Sequence, residues 1–307
     1  MMRFDRSRVA FGRHQTFAVR FGWLSKGFQA LKRNPNILRS EGAIAELGVG
    51  KNMVESIGYW VRAFQLIEAE TTKPTQIGSK IFSAKGYDPF LEDEATIWLL
   101  HWLLVTNPEQ ATSWFWFFNR FHKNEFSSDE LNTALSDFVR DQVKDIRQPA
   151  ASTLKSDATL IPRMYTQSKV QRNLPIEEAL DSPLSQLGLI RTTPRDRVFA
   201  SAPSARSELP ASVIGFAVSQ LFLAREADVL PIDELMYAHS EYPALGAIFR
   251  LTEQGLLTKL EELIDLLPGF FQLNETAGIH QLYQLQPVDP MMYLEHHYEF
   301  YSEDVAA

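Results

Sequence analysis

Cysteine is absent from the 307 residues. That removes disulfides, thiolate zinc sites, iron–sulfur clusters and a cysteine nucleophile together. Long apolar runs are absent as well. The densest, Ile97 to Val105, is nine residues and contains His101, whereas a bilayer span takes about 20. The charged stretch Met1 to Ala10 has no apolar core and no small-residue cleavage site, so no secretory leader is expected. Neither a Gly-x-Ser-x-Gly elbow nor a His-Glu-x-x-His pair occurs. These absences predict a cytoplasmic chain with no membrane partner. Cations are scarce over most of it. Residues 87–307 hold 16 Lys and Arg against 32 Asp and Glu, a net of −16. Residues 1–86 reverse the balance, with 14 against 6, a net of +8. A basic segment in an acidic chain is the electrostatic footprint of a phosphate-backbone partner, and duplex DNA is the expected one.

The remaining composition, 45% hydrophobic and 12% aromatic, supplies well-filled cores. The length suits two or three domains. The predicted fold class is mostly α with small β wings. Residues 1–86 read as a basic winged helix-turn-helix. Phe17, Phe21, Leu24, Phe28 and Leu31 repeat at helical spacing from Thr16 to Arg33, and Asn34-Pro35-Asn36 ends that helix. Ser40 suits the N-cap of a short helix reaching Leu47. Gly48-Val49-Gly50 turns the chain, and a longer helix runs from Lys51 to about Ile67. Gln76 to Phe82 alternates like the returning strand of a wing. Residues 87–148 read as an aromatic helical bundle, with helices at Glu92–Val105, at Glu109–Phe121 and from Ser128 onward. Residues 149–307 form the C-terminal domain. It is irregular to about Pro210 and then winged-helix-like: a helix Ser212–Arg225, a short helix from Ile232, a longer one from Ala244 to Leu267 breaking near Gly255, and a hairpin turning at Asn274–Gly278. Its apolar helices suit it to homodimerisation.

Gly48-Val49-Gly50-Lys51 invites comparison with a phosphate-binding loop. That motif needs glycine at position 45 and Ser or Thr at 52, where Ala45 and Asn52 stand, so no nucleotide is expected. As a turn before a recognition helix, it puts Lys51 and Asn52 where such a helix meets DNA. Asn52 reads as a base contact or as a helix cap. The other DNA-binding candidates are Arg13, His14, Arg20, Lys26, Arg62 and Lys80. Asp88, Glu92 and Asp93 lie in the densest acidic cluster, with His101 two turns on. They are candidates for a Mg²⁺ or Mn²⁺ site with a nearby base, the alternative being carboxylates that favour a helix start. Trp114 to Phe118 read as core rather than a stacking platform, because five consecutive aromatics cover every face of a helix. His296 and His297 are adjacent and point about 100° apart, which makes a poor metal pair.

Several motifs resemble a bacterial family encoded beside DNA phosphorothioation genes. They are Phe11-Gly12-Arg13-His14-Gln15-Thr16-Phe17, Gly22-Trp23-Leu24, and the run from Leu47 to Val54. Asp88-Pro89-Phe90-Leu91-Glu92-Asp93, Trp98-Leu99-Leu100-His101 and Ser182-Pro183-Leu184 continue the likeness. The resemblance is to the DNA-nicking component of single-strand phosphorothioation (Ssp) phage-defence systems. The resemblance implies that one DNA strand is opened so that partners can exchange a phosphate oxygen for sulfur. Those partners are a cysteine desulfurase, an ATPase and a sulfur-transfer enzyme. It assigns no catalytic residue. The alternative from the residues alone is a non-catalytic winged-helix adaptor or transcriptional regulator.

Overall fold

The computed structural model describes residues 2–144, 147–167, 181–239, 241–276 and 278–304. They form two compact units. The larger comprises Asp5–Trp116 and Lys123–Ala202, and the smaller Met1–Phe4, Phe117–His122 and Pro203–Ala307. Residues 5–86 thus lie wholly in the larger unit, together with most of 87–148, while 149–307 is shared between the two. The fold is mostly helical with two small three-stranded antiparallel sheets.

In the larger unit, helix α1 is Trp23–Arg33. It does not reach back to Thr16. Gln15 and Thr16 have φ of 51° and 64°, and Gly22 has φ of 78°, so the chain turns repeatedly before it can coil. A 3₁₀ turn at Ile37–Arg39 leads to α2 (Ala43–Leu47) and then α3 (Lys51–Ala63). Ser40 does not cap α2; its hydroxyl donates to the Ile37 carbonyl. α1 packs on α3 at Gly27, where a Cβ would stand 2.5 Å from Ile57 Cγ2 and 2.9 Å from Val61 Cγ1. Both neighbours are β-branched side chains with little freedom to yield. Gly27→Ala is therefore expected to lower stability by about 1–3 kcal/mol through overpacking, read as a lower urea midpoint.

The predicted wing strand is a helix instead: α4, Gln76–Phe82. Its apolar residues Ile77 and Ile81 satisfy strand alternation and i,i+4 spacing equally well. The cap decides between them. Thr75 accepts a hydrogen bond from Gly78 N at 3.1 Å, the usual device for starting a helix. Ile67 and Pro74 make an isolated antiparallel bridge before it.

α5 (Glu94–Val105) is buried at every residue from Ala95 to Val105, as an all-round apolar helix must be. Among the described residues no helix is long and apolar enough to cross a membrane. α6 spans Thr112–Arg120. The strand β1 (Glu125–Ser127) precedes α7 (Ser128–Gln142), which opens with a reciprocal cap between Ser127 and Glu130.

A further helix, α8 (Ala151–Tyr165), occupies part of the stretch expected to be irregular. Leu154, Ala158 and Ile161 form its buried stripe, and Pro162 falls in its last turn. Residues 168–180 of that stretch lie outside the described residues. A 3₁₀ turn at Pro183–Leu187 packs on α5 and α8. It leads to β2 (Arg191–Thr192) and β3 (Val198–Ala200). The sheet order is β1-β3-β2, with Phe126 opposite Phe199.

In the smaller unit, α9 (Ala211–Arg225) packs on α12 (Glu253–Leu266) and α13 (Met291–Asp304). β4 (Val229–Pro231), α10 (Ile232–Met236) and α11 (Leu245–Phe249) lie between α9 and α12. The long helix expected from Ala244 breaks at Arg250, whose φ is 51°, earlier than Gly255. Gly255 N instead donates to Thr252, the N-cap of α12. The expected hairpin forms as β5 (Phe271–Thr276) and β6 (Ile279–Gln284). Ala277, in its turn, lies outside the described residues. The sheet order is β4-β6-β5. Both sheets therefore follow one chain order: a strand, then helices, then a hairpin whose second strand sits in the middle.

Candidate nucleic-acid interface

The segment Phe11–Phe17 is held by one buried carboxylate on α8. Asp157 Oδ1 accepts from Gly12 N at 3.0 Å and pairs with His14 Nε2 at 2.7 Å, and Oδ2 accepts from Ser113 Oγ at 2.6 Å. His14 Nδ1 accepts from Thr16 N at 3.0 Å, which leaves Nε2 as the nitrogen that donates to Asp157. The imidazole is enclosed by rings. Trp60 stacks on it at 6.3 Å between centroids, and Trp114 meets it edge-on at 5.8 Å. Burial raises the Tyr59 hydroxyl pKa well above its ordinary value. Asp157 adds to the rise and Arg13 opposes it. Gly12 is required here. Its φ is +67°, and a Cβ would lie 2.4 Å from Thr153 Cγ2.

His14 is therefore corrected from a surface phosphate contact to an internal post, because it is fully buried. Sequence reading missed its partner 143 positions away. The legible signal was a lone carboxylate, Asp157, within the apolar stripe Leu154, Ala158 and Ile161. Gln15 continues the loop outward, and its Nε2 donates to Glu55 Oε2 on α3 at 2.8 Å.

Of the remaining DNA-binding candidates, Arg13, Lys26, Lys51 and Asn52 are exposed. Lys51 and Asn52 are the first two residues of α3. Gly50 is its N-cap and supplies no side-chain bond, so Asn52 does not occupy the cap position. That helix end carries positive partial charge from its unpaired N–H groups. Arg20 is half-buried over the Trp23 ring at 5.2 Å, and Lys80 over the Tyr87 ring at 5.6 Å. Arg62 donates to the Gly58 carbonyl at 2.7 Å, and burial, then Arg39, lowers its pKa.

The acidic turn is built as a helix start. Asp88 is buried, and its two oxygens accept from Glu92 N at 2.8 Å and Asp93 N at 3.0 Å. Asp93 caps α5 by accepting from Ala95 N at 2.8 Å. His101 is fully buried, with Nδ1 2.7 Å from the Tyr165 hydroxyl. A magnesium ion needs several hard oxygens in octahedral array; the carboxylates of Asp88 and Asp93 are already committed to backbone donors, and the exposed side chain of Glu92 does not supply that array by itself. Among the described residues, no three His, Asp or Glu converge into a group that could hold a metal ion. The aromatic residues Trp114 to Phe118 are all buried, at 4% exposure or less.

A family model described as a protein of unknown function (DUF4007) matches residues 11–298. A crystal structure of magnesium ion-bound SspB is similar over 94% of this chain and 88% of that one, with 29% sequence identity and a TM-score of 0.81. A second SspB crystal structure has 28% identity with the same coverage and TM-score. No curated protein sequence matches the chain.

Proposed function

The chain belongs to the DUF4007 family, and from that premise we propose that it is the DNA-engaging, strand-opening component of an SspB-like phosphorothioation system in phage defence. The observation that carries the reading is similarity to SspB along 94% of the chain. The exposed cations of the basic segment, Lys51 above all, and the exposed amide of Asn52 beside it at the start of α3 support a duplex DNA partner. The shared chain order of the two sheets supports reading each as a small winged helix. The partners in this reading are the desulfurase, ATPase and sulfur-transfer enzyme that such chemistry requires.

Phosphodiester opening is the proposed role within that system. Magnesium accompanies one SspB structure, but the acidic turn of this chain does not fit that ion, so the turn is given no part in the chemistry. A second reading, a non-catalytic adaptor on DNA, is favoured by one observation. The best carboxylate candidates are spent on helix initiation. Purified chain incubated with supercoiled plasmid and Mg²⁺ or Mn²⁺ separates the two. Strand opening yields open circles. A retarded but still supercoiled plasmid identifies the adaptor.

Lys51→Ala and Asn52→Ala are each expected to weaken duplex binding by about 1–3 kcal/mol if they contact bases. Fluorescence anisotropy with labelled duplex measures this, and thermal melting should stay within about 1 kcal/mol because both side chains are exposed. Parent-like affinity in both variants would remove α3 as the reader.

A further inference from the structure

The smaller unit has the chain order of a DNA reader and the wrong surface for one. Residues 203–307 hold four Lys and Arg against sixteen Asp and Glu, a net of −12, and the unit's two short segments add only Arg3 and Arg120, for −10 in all. None of the four cations is available to a phosphate. Arg206, Arg250 and Lys259 are buried at 5%, 4% and 3% exposure, and the Arg225 side chain is 10% exposed. Each is engaged internally. Arg206 faces Glu208, Arg225 pairs with Glu234, and Lys259 bonds Glu262 and the Ser207 carbonyl. Arg250 binds main-chain carbonyls. α12, which stands directly before the hairpin, exposes Glu253, Glu261, Glu262 and Asp265. Such a face repels a polyanion and attracts a polycation.

Beside it lies a groove of about 220 Å³, formed by α10, the first residue of α12 and the turn between β5 and β6. Ile232, Met236, Tyr237 and Ile279 give it an apolar lining, with Asp233 and Glu253 also among its walls. Tyr237 and Ile279 are 44% and 59% exposed and line the same groove, so its apolar wall faces solvent. The volume is below the roughly 300–1,000 Å³ of small-molecule sites. It suits one large apolar side chain of a macromolecule.

We propose that this groove seats the apolar anchor of a Lys- and Arg-rich segment from a separate protein chain, with flanking cations meeting Glu253, Glu261 and Asp265 of α12. Apolar anchor and acidic surround correspond to the two parts of an interface that supply affinity and orientation respectively. The proposal does not depend on strand opening or on the basic segment. It assigns the acidic unit to protein recruitment.

The test uses the full-length chain and a fluorescein-labelled synthetic amphipathic helix of Leu and Lys. The parent chain should bind it. Ile279→Ser combined with Tyr237→Ser should lower that affinity about tenfold or more, and Glu253→Lys should lower it separately. A scrambled peptide of the same composition should bind the parent about tenfold more weakly, since it cannot present one apolar side to the groove. Melting curves and duplex DNA affinity of the variants should match the parent. The proposal fails if both variants bind the peptide like the parent, or if the scrambled peptide binds equally well. It also fails if the variants lose DNA affinity instead. A parent dimer that the groove variants convert to monomer would make a second copy the occupant and equally overturn it.

Discussion

Asp157→Ala is expected to lower the unfolding free energy by about 3–5 kcal/mol, the cost of removing one partner from a buried, charge-assisted network. The carboxylate gathers three donors: Gly12 N, His14 Nε2 and Ser113 Oγ. Alanine leaves all three without this acceptor, two of them fully buried, with His14 packed against Trp60 and Trp114. Asp157→Asn keeps one oxygen acceptor and the shape, so its loss should be smaller. Urea denaturation followed by circular dichroism measures both. An alanine variant within 1 kcal/mol of the parent would mean that the Phe11–Phe17 segment is held by something else. The effect should reach the DNA-facing surface as well. The segment that Asp157 holds also carries exposed Arg13, and through Gln15 it bonds Glu55, one turn from Asn52.

Arg250→Met should be comparably damaging, at about 3–5 kcal/mol. The guanidinium is 4% exposed and donates to the carbonyls of Phe117, Phe118, Phe121 and Ala247, each at 3.1 Å. It also lies 5.3 Å from the centroids of the Phe117 and Phe118 rings. Methionine fills similar volume but donates nothing, so those carbonyls lose a buried partner. The position carries a second constraint, a left-handed φ of 51°. Arg250→Lys retains charge without the planar fork and should recover only part of the loss. A denaturation midpoint unchanged in Arg250→Met would contradict this account of the smaller unit.

The two replacements mark where sequence reading stops. α5, α9 and the β5–β6 hairpin are legible because local signals agree with the packed state: an all-apolar run, a cap at Asp93 and turn residues. The Gln76–Phe82 segment misleads because Ile77 and Ile81 satisfy two periods at once, and the deciding cap at Thr75 looks like an ordinary loop residue. α8 is hidden by Pro149, Pro162 and its Ser and Thr content, although its apolar stripe is present. The start of α1 is misplaced because Phe17 and Phe21 keep helical spacing while Gly22 turns the chain. The long-range pairings are the least legible. Nothing near His14 announces Asp157, and nothing near Arg250 announces the carbonyls at Phe117–Phe121. At the candidate site, charge segregation and the Gly50–Lys51 helix start can be read directly. The burial of His14 and the commitment of Asp88 to backbone donors cannot, because both depend on what the chain folds against.

The central claim is that the basic segment engages duplex DNA through its exposed cations. Anisotropy of a labelled duplex with the full-length chain, titrated across salt concentration, tests it most directly. If about six phosphates are contacted, log affinity should fall against log salt with a slope of about −5, as released counterions drive binding. Lys26→Glu with Lys51→Glu should both weaken binding and flatten the slope by about 2. Duplex affinity that is absent at low salt, or independent of salt and of these two residues, would contradict the account.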